Sequence, residues 1–277
     1  PGEPILQQKG IRTLGPVTGD CDGLAFTPDG AALVSIHRVP GPGRGDKAKD
    51  TMTHWDIKTG ASSQQAIPGG QFKRLLHALA TGPDGKTVAI ANEDGTVRMW
   101  EIPTWRERFV MDGHKGVEKK GFAGATAVAY AANGKLLVSV GRDNAVRIWD
   151  AETGKRMRST AGHTSWPEAV AASADGRRIA TAGQDCQIRL WNPADGNELV
   201  VQESHRHWVN GVAMSRDGRL AATASYDGTA RLWDAANGKP LRRIDTGGGA
   251  NGLTLTPDGR NLVTCANKRL RMWDVGS

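Results

Sequence analysis

The chain has 277 residues, enough for one all-β domain with a sizeable core or for two smaller domains. Lys and Arg number 36 against 29 Asp and Glu, and the net charge of +7 argues only weakly for an acidic partner. With 38% hydrophobic residues, no apolar run of about 18 residues and no CxxC pair, the sequence excludes a disordered chain, a membrane-spanning helix and a disulfide framework. Cys21, Cys186 and Cys265 lie far apart, which points to a reducing, cytoplasmic setting. Residues 1–14 lack the apolar centre of a secretion signal, and the missing Met marks a processed chain or a domain excised from a longer protein. The counts of 36 Gly and 9 Trp, beside 2 Tyr and 4 Phe, imply many tight turns and one repeated role for tryptophan.

In chain order, residues 5–14 come first, ahead of any turn signal. After them a turn ending in Asp-Gly or Asn-Gly recurs, closing at Gly30, Gly85, Gly134, Gly176, Gly218 and Gly259. A Trp followed by Asp, Glu or Asn recurs at Trp55, Trp100, Trp149, Trp191, Trp233 and Trp273. From Gly134 and Trp149 onward both series step by 40–42 residues, so two independent landmarks keep one period. The longer early steps place insertions at 38–50 and 115–124. Each unit reads as four short strands. In the fourth unit they are predicted at 168–172, 178–182, 187–191 and 198–202, separated by Gly, Asp and Asn turns. No helical apolar period is sustained anywhere. The units span roughly 20–67, 75–112, 124–161, 167–203, 209–245 and 250–277, and the last stops on its third strand.

Residues 180–191, reading Ala-Thr-Ala-Gly-Gln-Asp-Cys-Gln-Ile-Arg-Leu-Trp, resemble the WD40 repeat, as do 138–150 and 222–234. The resemblance covers nearly the whole chain. It implies a six-bladed β-propeller of four-stranded antiparallel blades, forming a single domain over 1–277. In such a fold residues 1–19 can supply the missing outer strand of the last blade and close the ring. The resemblance also implies a buried hydrogen-bonded set of His, Ser or Thr, Asp and Trp in each blade. His163, Thr181, Asp185 and Trp191 fit it, as do His205, Thr223, Asp227 and Trp233. Ser139, Asp143 and Trp149 form a third set, with His114 displaced by an insertion. Ile90 and Asn267 break the pattern in the second and sixth units. These sets imitate a catalytic Ser/His/Asp group, but their repetition from blade to blade argues for structure, so no catalytic residue is expected.

Other signals are discounted on the same grounds. Arg98, Arg147, Arg189, Arg231 and Arg271 stand two residues before a Trp and read as strand positions rather than a nucleic-acid stripe. His205 is already used in a structural set, which leaves His207 alone and predicts no metal site. The glycine-rich stretch at Gly41, Gly43 and Gly45 has no following helix to present a phosphate site. No cofactor is expected.

The informative positions share one face. Strand alternation puts the b–c turns and the d–a loops on the same side, together with both insertions. Trp166 and Trp208 precede strand a there, outside the Trp-Asp register. Two residues before the apolar centre of each strand a stand Asp22, His77, Thr126, Glu168, Asn210 and Asn251, a polar ring expected at the channel mouth. Glu93, Arg142, Gln184 and Tyr226 precede the turn on the same face. The mixed charge suits a peptide or protein segment better than a phosphate backbone. The expected function is a non-enzymatic interaction scaffold, a monomer using Trp166, Trp208, Glu168, Asn210, His77, Asp22, Arg142, Glu93 and Tyr226, with no nucleic acid or membrane partner. The Ala/Gly/Arg-rich repeats resemble those of bacterial WD40 proteins, which implies a signalling protein as the larger context. Small-molecule or nucleic-acid binding at the channel mouth or the basic surface, and a purely structural repeat, stay open as alternatives.

Overall fold

A unit of four short strands is too small to bury apolar residues on both faces by itself, so neighbouring units must cover one another. The computed structural model describes residues 20–39, 49–67, 78–114, 124–203, 205–256 and 258–276. Within these residues the chain forms six antiparallel sheets, one per unit, five of four strands and the last of three. The innermost strands used below are β1 (Asp20–Phe26), β5 (Leu79–Thr81), β9 (Ala125–Ala131), β13 (Pro167–Ala172), β17 (Val209–Met214) and β21 (Ala250–Leu255). In the fourth sheet β13 is followed by β14 (Ile179–Gly183), β15 (Gln187–Trp191) and β16 (Glu198–Glu203), each within one residue of its predicted bounds. The helical content among the described residues is a single turn of 3-10 helix, Ala132–Gly134.

Local chemistry fixes the turns. In the a–b turns the hydroxyls of Ser173 and Ser215 donate to Asp175 and Asp217, each at 2.6 Å. Gly176 and Gly218 follow with φ of 72° and 69°, left-handed values that favour glycine. The Asp or Asn that follows a landmark Trp caps the next turn: the Asp150 carboxylate accepts from the Thr153 backbone N–H at 2.8 Å and from its hydroxyl at 2.9 Å. The Trp-Asp dipeptide thus joins a buried indole to a turn anchor.

The core lies between sheets. Ile36 and Met52 of the first sheet meet Ile90 and Trp100 of the second. Met99 and Met111 meet Leu137 and Trp149 of the third. Val138 and Ile148 meet Ile179 and Trp191 of the fourth. Leu190 meets Ala221 and Trp233 of the fifth, and Leu232 and Ile244 meet Leu262 of the sixth. A Trp sits in most of these interfaces, and truncating a buried one to Ala costs about 3–5 kcal/mol. Large apolar residues on the outer faces of the first and last sheets are exposed: Leu24 and Phe26 on β1, and Leu270 and Met272 on β23 (Arg269–Asp274). The closing strand expected from residues 1–19 lies outside the described residues.

Candidate partner-binding face

The polar ring has a specific backbone cause. In β13, Pro167 pairs with Gly183 and Ala169 with Ala182, so Glu168 is an extra residue with no cross-strand partner. The same one-residue bulge isolates Asn210 between Val209 and Gly211, and Asn251 between Ala250 and Gly252. Thr126 is skipped between Ala125 and Ala127, and Asp22 between Cys21 and Gly23. A bulge bends its strand and re-aims the unpaired side chain, and bulges gather beside functional sites. Five of the six ring positions therefore coincide with bulges. The sixth, His77, lies outside the described residues, as do 40–48 of the first insertion and 115–123 of the second.

Backbone hydrogen bonds then tie the b–c turn to the loop before each bulge. The N–H groups of Arg142, Gln184 and Tyr226 donate to the carbonyls of Gly124, Trp166 and Trp208, at 2.9, 2.9 and 3.0 Å. This repeated bond brings four of the expected residues together. Glu168, Trp208, Asn210 and Tyr226, with Gln184 and Asn251, line one cleft of about 320 Å³ across the fourth, fifth and sixth sheets. Trp208 and Tyr226 are 45% and 47% exposed, large for aromatic rings that pack on each other at 6.3 Å. His207 completes the cluster, 5.4 Å from Trp208 and 5.7 Å from Tyr226. Its Nδ1 accepts the Trp208 backbone N–H at 2.8 Å. The sequence marks His207 only as a leftover histidine; its aromatic role follows from the d–a loop packing against the b–c turn, a contact that no local pattern encodes.

Glu168 is the chemically unusual member. Gln184 Nε2 donates to its Oε1 at 2.7 Å. Its Oε2 is buried and has no hydrogen-bond partner among the described residues. Burial pushes the carboxyl above its usual range, while the Gln184 bond and the charge of Arg142 pull it part of the way back. Arg142 is seated over the Trp166 ring at 5.2 Å, so Trp166 is a partly buried stacking surface rather than a second exposed ring. Glu93 stands beside Gly124 at the neighbouring seam and does not line the cleft. Asp22 holds the equivalent bulge in the first sheet.

A larger cleft, about 460 Å³, opens on the opposite face among Ala174, Asp175, Ser215, Asp217 and Asp258. Its carboxylates are the turn anchors already bonded to Ser173, Ser215 and Thr256. Those groups are occupied in holding the fold.

The Ser/His/Asp imitations are buried relays. Trp191 donates to Thr181 Oγ1 at 2.8 Å, Thr181 meets His163 Nε2 at 2.7 Å, and His163 Nδ1 meets Asp185 at 2.8 Å. The fifth sheet repeats this through Trp233, Thr223, His205 and Asp227. In the third, His114 completes the set with Ser139 at 2.7 Å and Asp143 at 2.8 Å, despite the insertion after it. In the fourth and fifth sheets each member of the Trp–Thr–His–Asp chain is satisfied when the imidazole is neutral with its proton on Nδ1. The hydroxyls are fully buried, so no substrate reaches them. The first sheet uses His37 from its own second strand, 2.5 Å from Ser35, which in turn accepts from Trp55 at 2.8 Å. The strand arginines are engaged too: Arg98 with Glu107 and Arg189 with Glu198, both at 2.8 Å.

Six successive antiparallel sheets with Trp-anchored seams define an all-β repeat protein of the β-propeller type. Segments 68–101, 105–150, 154–192, 196–234 and 238–274 match the family described as WD domain, G-beta repeat, and the chain belongs to that family. Its members are generally non-enzymatic protein-interaction scaffolds. Each matched segment ends one residue after a landmark Trp, and the four from 105 onward each give their first strand to one sheet and the other three to the next. Among curated proteins no match to this sequence is found. No helix among the described residues is long and apolar enough to cross a membrane.

Proposed function

We propose that this domain is a non-enzymatic scaffold that holds a protein or peptide segment at the cleft between its fourth and sixth sheets. The observation that carries this reading is the exposed Trp208–Tyr226 pair at the rim of a cleft with a buried carboxylate in its wall. Exposed aromatic rings beside a desolvated polar group are the usual composition of an interface anchor. The setting is the cytoplasm, within a larger bacterial signalling protein. Cys21, Cys186 and Cys265 form no disulfide, which suits that compartment. Nucleic acid fits less well, because the cleft carries an acid and three of the five strand arginines, Arg98, Arg147 and Arg189, are paired with carboxylates of their own sheets.

Affinity capture from native lysate tests the reading, with the wild-type domain beside a Trp166→Ala/Trp208→Ala variant and circular dichroism on both. A protein retained by the wild type alone supports the scaffold and this face. Equal retention moves the site elsewhere, and no retention turns attention to small ligands and nucleic acid.

A further inference from the structure

The bulge residues do more than line the mouth; two of them also stitch adjacent sheets. Thr126 donates its hydroxyl to the Pro167 carbonyl of the next sheet at 2.5 Å. Asn210 donates its side-chain amide to the Ala250 carbonyl at 3.3 Å. In each case the acceptor is the residue before the next bulge. By the same register Glu168 is matched to the Val209 carbonyl, but a carboxylate has no proton to give. The fourth sheet therefore places an acceptor where its neighbours place donors, and Oε2 is left without a bond.

An isolated anion in a partly desolvated cleft is costly unless a cation or a proton meets it. Beside this one stand the exposed faces of Trp208 and Tyr226, which attract cations through the ring quadrupole. Asn210 has spent its amide nitrogen on Ala250, which leaves a side-chain oxygen able to accept. A lone carboxylate oxygen and two exposed aromatic faces are complementary to one kind of group. We propose that the cleft takes a cationic side chain, lysine or arginine, from the bound peptide, with the charge beside the Glu168 carboxylate in the cleft wall and the stem against Trp208 and Tyr226. This rests on the scaffold reading above and adds the chemistry of the residue it recognises. Arg142, held over Trp166, acts on Glu168 from a distance and opposes the incoming charge.

The probes are the capped tripeptides Ac-Gly-Arg-Gly-NH2, Ac-Gly-Lys-Gly-NH2 and Ac-Gly-Glu-Gly-NH2, titrated by calorimetry or ligand-observed NMR at up to millimolar concentration. The expected result is binding of a basic probe at least about tenfold tighter than the acidic one, with the Arg and Lys arms separating a planar fork from a point charge. Glu168→Gln should lose about tenfold or more, and Arg142→Gln should tighten the basic probes. Binding should also weaken as pH falls and the Glu168 carboxyl protonates; Arg142 and Tyr226 are the other ionisable groups facing it. Equal affinity for acidic and basic probes, no titration of any basic probe, or a Glu168→Gln variant that binds as wild type overturns the proposal. A captured protein that still requires Trp208 in that event leaves the scaffold standing without cation recognition. Failure of the capture while basic probes bind removes the scaffold and leaves a small-cation site.

Discussion

Trp191 and Thr181 meet at 2.8 Å through an indole N–H and a hydroxyl, and the same hydroxyl passes the hydrogen-bond chain to His163. Trp100, at the corresponding place in the second sheet, has a buried Nε1 with no hydrogen-bond partner among the described residues, and Ile90 stands where the acceptor is expected. Trp191→Phe breaks a made bond, whereas Trp100→Phe removes a donor with no such partner. Urea unfolding should therefore show Trp191→Phe costing about 1 kcal/mol more than Trp100→Phe. Equal costs would mean that the relay contributes only packing.

The relays also predict a pH dependence. Burial holds His114 and His205 below the usual imidazole range, more than their aspartates raise them. The unfolded chain consequently takes up protons first as pH falls. The stability these residues contribute is complete above about pH 6.5 and is lost below it. Burial alone would raise Asp143, Asp185 and Asp227, but their hydrogen bonds outweigh it and hold all three low, so their contribution is lost only below about pH 4. The urea midpoint should be flat above about pH 7 and decline from about pH 6.5 downward. A midpoint unchanged into the acid carboxylate range would contradict the neutral-imidazole assignment.

Glu168 has the opposite sign. Its carboxyl is raised by burial, so its favourable contribution exists at low pH and is lost as pH rises through the raised value. Glu168→Gln should raise the thermal midpoint at neutral pH while it weakens basic probes. A gain in stability paired with a loss of binding separates a recognition residue from a merely structural one. A lower midpoint in this variant would show that the carboxylate supports the fold.

Trp208→Ala should leave the thermal midpoint nearly unchanged, within about 0.5 kcal/mol, because the ring is half exposed. Trp233→Ala, which empties a seam between the fourth and fifth sheets, should cost about 3–5 kcal/mol. Comparable melting shifts in the two variants would place Trp208 in the core.

Two turn glycines share a conformation but not surroundings. Gly176 and Gly259 have φ of 72° and 70°. A Cβ at Gly176 would collide with Ala132 of the adjacent sheet, whereas at Gly259 it would meet Ser215 at an ordinary 3.7 Å. Gly259→Ala should cost about 1 kcal/mol from backbone strain alone, and Gly176→Ala measurably more. Chemical denaturation of the pair reads the seam contact directly.

The strand pattern was legible because two landmarks, the Asp-Gly turn and the Trp-Asp pair, have local physical causes: left-handed backbone and turn capping. The relays of the fourth and fifth sheets were legible only through the resemblance to the WD40 repeat, which implies such a set in each blade. The His37 substitute in the first sheet was not, since a histidine two residues along the same strand breaks the repeat spacing. Glu168 and Asn210 could be placed at the mouth by register. Their meeting with Trp208 and Tyr226 in one cleft depends on contacts between sheets, and so does the aromatic role of His207. The closing strand and His77 fall outside the described residues.

The bulges have a consequence for how this mouth can change. A residue paired across a ladder is constrained by its opposite neighbour, so exchanging it disturbs the sheet. Asp22, Thr126, Glu168, Asn210 and Asn251 have no opposite neighbour. The side chains of Thr126, Glu168, Asn210 and Asn251 are freed from the pairing that builds the blade. Thr126 and Asn210 also hold the next sheet, so it is at Glu168 and Asn251 that an occupant can be exchanged with least effect on the strands that carry it.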